Sequence, residues 1–127
     1  MTHEPDLDTF RELTEQAWAQ LPDEFRRAAG RVVLHVQDLA DRDVLEELNI
    51  VNPMSLSGLY QGVPLTIDSV TFPYPESPRI FLYRLPILAE ARSKPDVTLK
   101  ELIHHVLVHE LGHHFGYSDE EMHRLTD

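Results

Sequence analysis

Apolar side chains recur along this chain with two different spacings, and each spacing predicts a different element. Over Leu99–Leu111 they return every three or four residues, which is typical of a helix with one buried face. Two shorter runs, Arg31–Gln37 and Arg79–Arg84, are rich in β-branched or other apolar residues and predict strands. The second run has apolar residues on both faces, so we expect a central or covered strand.

Further helices and turns are predicted around these segments. Gly58–Leu65 predicts a short strand and turn, with glycines where the backbone turns or is approached closely. The prolines Pro73, Pro75 and Pro78 predict an exposed loop. The other expected helices are Asp8–Gln20, Pro22–Arg27, Asp41–Leu48, Leu85–Arg92 and Ser118–Leu125. Because no repeat or boundary divides the chain, we expect residues 1–127 to form a single domain.

Composition narrows the function classes. The formal charge is −11 and no Lys/Arg cluster is present, which argues against binding a nucleic-acid backbone. The chain has no cysteine, which excludes disulfides and thiolate metal sites. The acidic N-terminus has no apolar core, and no stretch is apolar enough to span a membrane. The expectation is therefore a cytoplasmic protein without a membrane partner.

The long apolar helix carries the most specific motif of the chain. Residues 109–113, HELGH, form the H-E-x-x-H pattern of zinc-dependent hydrolases. His109 and His113 are four residues apart and share a helix face, so both imidazoles can reach one metal ion. Glu110 lies about 100° around the helix from His109, close enough to reach a water molecule on the metal without ligating it.

Two residues after the helix extend this motif to H-E-x-x-H-x-x-G-x-x-D. Gly116 can take the left-handed conformation that ends a helix, after which the chain can return Asp119 to the metal as a third ligand. Glu120, Glu121 and His123 are the alternative third ligands. In a chain of this composition the short motif arises by chance about once in twenty sequences, and the extended one about three times in ten thousand. Three protein ligands leave a fourth position for water, as in catalytic zinc sites.

Other histidines are expected to have structural or solvent-exposed positions. His114 falls within the apolar stripe and should be buried and hydrogen-bonded. His104 should face outward. His105, although four residues before His109, should lie in solvent or support a ligand, because a straight helix cannot direct three turns at one ion. His35 is expected in the core or on a sheet face.

Several segments together carry a family resemblance. HELGHHFGYSDEE, GLYQGVPL, RIFLYR and LPDEF resemble the small bacterial single-domain zincin-like proteins, which are described as minimal zinc metallopeptidases. The resemblance implies an α+β fold in which a small mixed sheet packs against the motif helix, with further helices. It also implies one Zn²⁺ per chain, bound by His109, His113 and Asp119. The motif is similar to that of metzincins, but Asp119 stands where most of those have histidine.

The leading hypothesis is a zinc metallopeptidase that hydrolyses peptides or unfolded protein, with Glu110 as general base. The first alternative is a metal-dependent hydrolase of another class, such as an RNA endonuclease with the spacing H-x-x-x-H-x-x-x-x-x-H. The second is a non-catalytic zinc-binding interaction module. The sequence gives no expectation for the oligomeric state.

Overall fold

The structure, a computed structural model, describes residues 4–62 and 78–116. These residues form five α-helices, three strands and one short 3-10 turn. In chain order the elements are α1 (Leu7–Ala19), α2 (Asp23–Ala29), β1 (Val33–Gln37), α3 (Arg42–Glu47), the 3-10 turn (Pro53–Ser55), β2 (Gly58–Gln61), β3 (Arg79–Tyr83), α4 (Arg84–Ser93) and α5 (Leu99–His114).

The three strands form a mixed sheet in the order β1-β3-β2. β1 runs parallel to β3, whereas β2 runs antiparallel to it. The prediction of a central strand is confirmed for β3, where Ile80 and Leu82 are both fully buried. In the described part of the sheet, β2 therefore lies at one edge and β1 at the other.

Helix α5 packs against both the sheet and two of the other helices. It contacts α1 and α4 as well as strands β2 and β3. Its side chains Ile103 and Leu107 are fully buried in the same apolar cluster as Phe10 of α1 and Ile80 of β3. The expected α+β architecture, a small mixed sheet packed against the motif helix, is confirmed.

Local signals fix both ends of α5. The Thr98 hydroxyl accepts a hydrogen bond from the Glu101 backbone N–H at 3.1 Å, as an N-cap does. The same hydroxyl donates to the Glu101 carboxylate at 3.0 Å, whereas in a full capping box that carboxylate accepts from the N-cap backbone. At the other end Gly116 has a φ of 86°, the positive value expected for a helix-ending glycine.

Some predicted boundaries differ from the observed ones. Arg84 opens helix α4 and does not continue the strand, and β1 begins two residues later than expected. The guanidinium of Arg84 makes two contacts that hold the residue at the junction of β3 and α4. Its Nε donates to Asp38 at 2.6 Å, and its Nη1 donates to the Pro5 carbonyl at 3.0 Å. Pro86 then occupies the first helical turn, where its missing N–H leaves no hydrogen bond unmade. The predicted helix Ser118–Leu125 and the prolines at 73 and 75 lie outside the described residues.

The length of α5, 16 residues, is too short for a membrane span. Its exposed side also carries His104 and His105, which are polar and face solvent. None of the helices in residues 4–62 and 78–116 is long and apolar enough to cross a bilayer.

Candidate metal centre

Glu110 is more deeply buried on α5 than the two histidines of the motif. Ile103, Glu110 and His114 are spaced by seven and four residues, so they share one face of the helix. All three are buried, and Glu110 is only 9% exposed. His109 and His113 are half-buried and lie at the border of this face, as the spacing predicts. Both imidazoles therefore have one side against the protein and one side open.

The two imidazoles are arranged as a pair that could bind one metal ion. Their ring centroids are 5.0 Å apart and the ring planes meet at 86°. With zinc–nitrogen distances of about 2.0–2.1 Å and tetrahedral angles, two imidazoles on one zinc ion have centroids about 5 Å apart. The donor type and the ring separation thus both fit zinc.

The third predicted ligand, Asp119, lies outside the described residues, as do its alternatives Glu120, Glu121 and His123. Within residues 4–62 and 78–116, no three histidine or carboxylate side chains are grouped so that they could hold a metal. The roles of His109, His113 and Asp119 as ligands, and of Glu110 as general base, remain predictions.

Glu110 lies against the edge strand β2 at a glycine. A Cβ placed on Gly58 would be 3.2 Å from Glu110 Cγ, 2.8 Å from Val106 Cγ1 and 3.2 Å from the Phe81 carbonyl oxygen. Real Cβ atoms essentially never approach other heavy atoms to within 3.0 Å, so the observed packing has no room for a side chain at Gly58. The sequence predicts a close backbone approach in this strand, and the structure identifies the Glu110 side chain as one of the groups that approach it.

The hydrogen-bond register of β2 determines which backbone groups face away from the sheet. Tyr83 N–H donates to the Ser57 carbonyl at 2.9 Å, and Gly58 is opposite Leu82. In an antiparallel ladder, hydrogen-bonded and non-hydrogen-bonded pairs alternate, so Gly58 and Tyr60 are non-hydrogen-bonded positions. Their backbone N–H and C=O groups therefore point away from β3. The same two residues face α5 with their side-chain positions.

A second contact between β2 and α5 joins Tyr60 to His114. The Tyr60 hydroxyl lies 2.8 Å from His114 Nδ1, and the two rings are 5.5 Å apart. Burial lowers the pKa of His114, while a hydrogen bond to the Ala29 backbone acts in the opposite direction. Because that bond favours the protonated ring, the ring donates it, and Nδ1 is left to accept from Tyr60. His114 is therefore a buried, hydrogen-bonded histidine, as predicted.

Tyr83 lies near the same region at the end of β3. Burial, followed by the charges of Asp41 and Glu110, raises the pKa of Tyr83 to about 12. The phenol is thus neutral at physiological pH, and the carboxylate of Glu110 contributes to keeping it so. Tyr83 could not be singled out from the sequence, because its relation to Glu110 depends on the strand order.

The other histidines within residues 4–62 and 78–116 have the expected surroundings. His104 and His105 are exposed on α5. His35 is half-buried on a face of the sheet and stacks on Phe81, with ring centroids 4.9 Å apart. None of these three residues belongs to the His109–His113 pair.

A mixed sheet crossed by a helix that carries H-E-x-x-H defines the zincin class of metallopeptidase folds, and comparison with known families agrees. The family model for the zincin-like metallopeptidases matches residues 29–127. The chain therefore belongs to the zincin-like metallopeptidase family, which confirms the resemblance drawn from the sequence. A search of curated proteins found no match.

Proposed function

We propose that this protein is a zinc-dependent peptidase in which His109, His113 and Asp119 hold the metal and Glu110 is the general base. One observation carries the proposal: the two half-buried imidazoles lie 5.0 Å apart on the helix that also carries the buried Glu110. Family membership supports the same class of reaction. The third ligand rests on the sequence spacing alone.

The chemistry divides between the metal and the protein. Zinc, when bound, would polarise the peptide carbonyl and lower the pKa of a water molecule. Glu110 then takes a proton from the attacking water and delivers it to the amine nitrogen as the C–N bond breaks. His109 and His113 bind through neutral rings, which is the form that a metal requires.

The outer edge of β2 is suited to hold an extended peptide. Gly58 and Tyr60 direct their backbone N–H and C=O groups away from β3, and such groups can pair with another strand. Because the side-chain position of Gly58 faces the Glu110 side chain, a peptide on this edge would lie next to the general base. The substrate class that fits is an extended peptide or an unfolded segment of a protein.

Net charge favours peptide over nucleic acid. At −11, the protein repels a phosphate backbone and attracts cationic chains. We therefore expect cleavage of unstructured peptides and no cleavage of RNA.

The test compares Glu110→Gln with the wild type on a pool of unstructured peptides, using zinc-loaded protein. The amide keeps the size of the side chain but cannot accept a proton, so turnover should fall by about 10² to 10⁴. Zinc content and melting temperature should change little, because Glu110 is not a ligand in this proposal.

Glu101→Gln is the matched control, since it removes the same charge from the exposed start of α5. It should retain wild-type turnover, and a chelator should abolish turnover in both proteins. Cleavage that survives in Glu110→Gln would remove Glu110 from the mechanism. A wild type that cleaves neither peptides nor RNA would support the zinc-binding interaction module.

A further inference from the structure

We infer that Gly58 is a positioning residue for Glu110, so that the strand proposed to seat the substrate also sets the orientation of the general base. The inference rests on the proposed function and extends it to a residue outside the H-E-x-x-H motif. It concerns how the carboxylate is held and adds no further group to the reaction.

Three groups from two neighbouring elements surround the side-chain position of Gly58. Val106 and Glu110 approach from α5, one helical turn apart, and the Phe81 carbonyl approaches from β3. The Glu110 contact is to Cγ, the carbon that joins the backbone side of the side chain to the carboxyl group. Strand β2 thus packs against the stem of Glu110, and a methyl group at Gly58 would displace Val106, that stem or the strand.

Gly58 needs no unusual backbone conformation. It lies within a regular strand, paired with Leu82, and the glycines with positive φ are Gly30 and Gly116. Conformational freedom therefore does not account for glycine at this position, whereas close approach does. Any side chain here would use the space that Glu110 and Val106 occupy.

The position also links the two parts of the proposed site. The backbone N–H and C=O of Gly58 point away from β3, while its side-chain position faces Glu110. A peptide paired with β2 and the carboxylate that acts on it are therefore separated by a single residue. Replacing Gly58 should disturb the proton transfer and leave the hydrogen-bonding edge in place.

The first arm of the experiment measures the position of Glu110 without using activity. The side-chain carboxyl carbon of Glu110 is labelled with ¹³C. Its resonance is identified as the one that is absent from the spectrum of Glu110→Gln. Gly58→Ala should shift this resonance. Val36→Ala is the control for general destabilisation, because Val36 is a buried apolar residue in β1, at the opposite edge of the sheet. It should lower the melting temperature without moving the Glu110 resonance.

A double variant keeps the test decisive if Gly58→Ala does not fold. Val106→Ala removes Cγ1, the nearest obstacle, and retains the contact between the new methyl group and Glu110. Gly58→Ala in the Val106→Ala background should therefore still shift the Glu110 resonance relative to Val106→Ala alone. An unshifted resonance in every folded variant that carries Gly58→Ala would overturn the inference.

The second arm measures peptide turnover with zinc-loaded protein. Small misplacements of catalytic groups cost up to about 100-fold in rate, so kcat should fall by about 10- to 100-fold. KM should change little because the edge backbone remains, and zinc content should be unchanged. If Gly58→Ala and Val36→Ala are equally stable and lose the same amount of turnover, that result would contradict a positioning role for Gly58. If the wild type has no turnover, the proposed function fails. The Glu110 resonance alone then decides whether Gly58 sets the orientation of that side chain.

Discussion

The two flanks of helix α5 bury different kinds of side chain: one buries apolar groups and the other buries polar groups. On one flank Leu107 and Leu111 enter an apolar cluster in which both are buried. On the flank along β2, Glu110 meets a glycine and His114 accepts a hydrogen bond from Tyr60. The apolar flank gains free energy by removing surface from water, whereas the β2 flank buries polar groups, which is costly unless they are hydrogen-bonded or paired.

The difference shows how a short chain can hold reactive groups in place. The apolar flank fixes α5 as a rigid element, and sites on helices are held more precisely than sites on loops. The β2 flank determines the surroundings of Glu110 and His114. Substitutions on the two flanks should therefore have separable effects on stability and on the site.

The largest effect on stability is expected on the apolar flank. Leu107→Ala removes a fully buried side chain and should lower the free energy of unfolding by about 2–5 kcal/mol. Zinc content, measured where the variant remains folded, should stay at the wild-type level. Chemical denaturation gives the free energy, and exposed His105→Ala on the same helix should stay within about 0.5 kcal/mol of wild type. A variant as stable as wild type would show that this flank does not anchor the helix.

A smaller effect is expected on the β2 flank. Tyr60→Phe deletes the hydroxyl that donates to His114 Nδ1 and leaves that buried nitrogen without this partner. The free energy of unfolding should fall by about 1–3 kcal/mol. A double-mutant cycle with His114→Leu measures the coupling, which should be lost when either side chain is absent. Additive effects of the two substitutions would contradict a hydrogen bond between them.

The smallest expected effect is a pH dependence of stability on the same flank. Burial lowers the pKa of His114 below its ordinary value of 6.5, so the unfolded chain binds a proton more readily than the folded protein. Its contribution to stability is fully present above about 6.5 and is lost as pH falls through the lower folded value. Urea denaturation of metal-free protein at several pH values measures this loss.

The comparison for this pH series is His114→Leu, which should lose part of the slope below about pH 6.5. Exposed His104→Ala should keep it. An identical slope in wild type and His114→Leu would show that His114 does not titrate differently in the folded protein.

The apolar flank could be predicted from sequence, because its causes are local. The three- and four-residue spacing of Leu99–Leu111 predicts the helix and Gly116 predicts its end, and both agree with the structure. The central position of β3 follows from apolar residues on both of its faces. Each of these signals is contained in a few neighbouring residues.

The β2 flank could not be predicted to the same degree, because its contacts join distant parts of the chain. Tyr60 and His114 are 54 residues apart, and their hydrogen bond exists only because β2 is placed beside α5. Periodicity predicted a buried His114, and the glycines predicted a close approach in β2, but neither signal identified the partner. Strand order and register supply that information, and they are properties of the whole fold.

The central claim, that His109 and His113 form the metal site, is tested most directly by zinc content. Protein purified without added metal is analysed for zinc in the wild type and in His109→Ala, His113→Ala and His105→Ala. We predict about one equivalent in the wild type and in His105→Ala, and almost none in the other two, since each loses one of three protein ligands. Full zinc content in His109→Ala or His113→Ala would contradict the account.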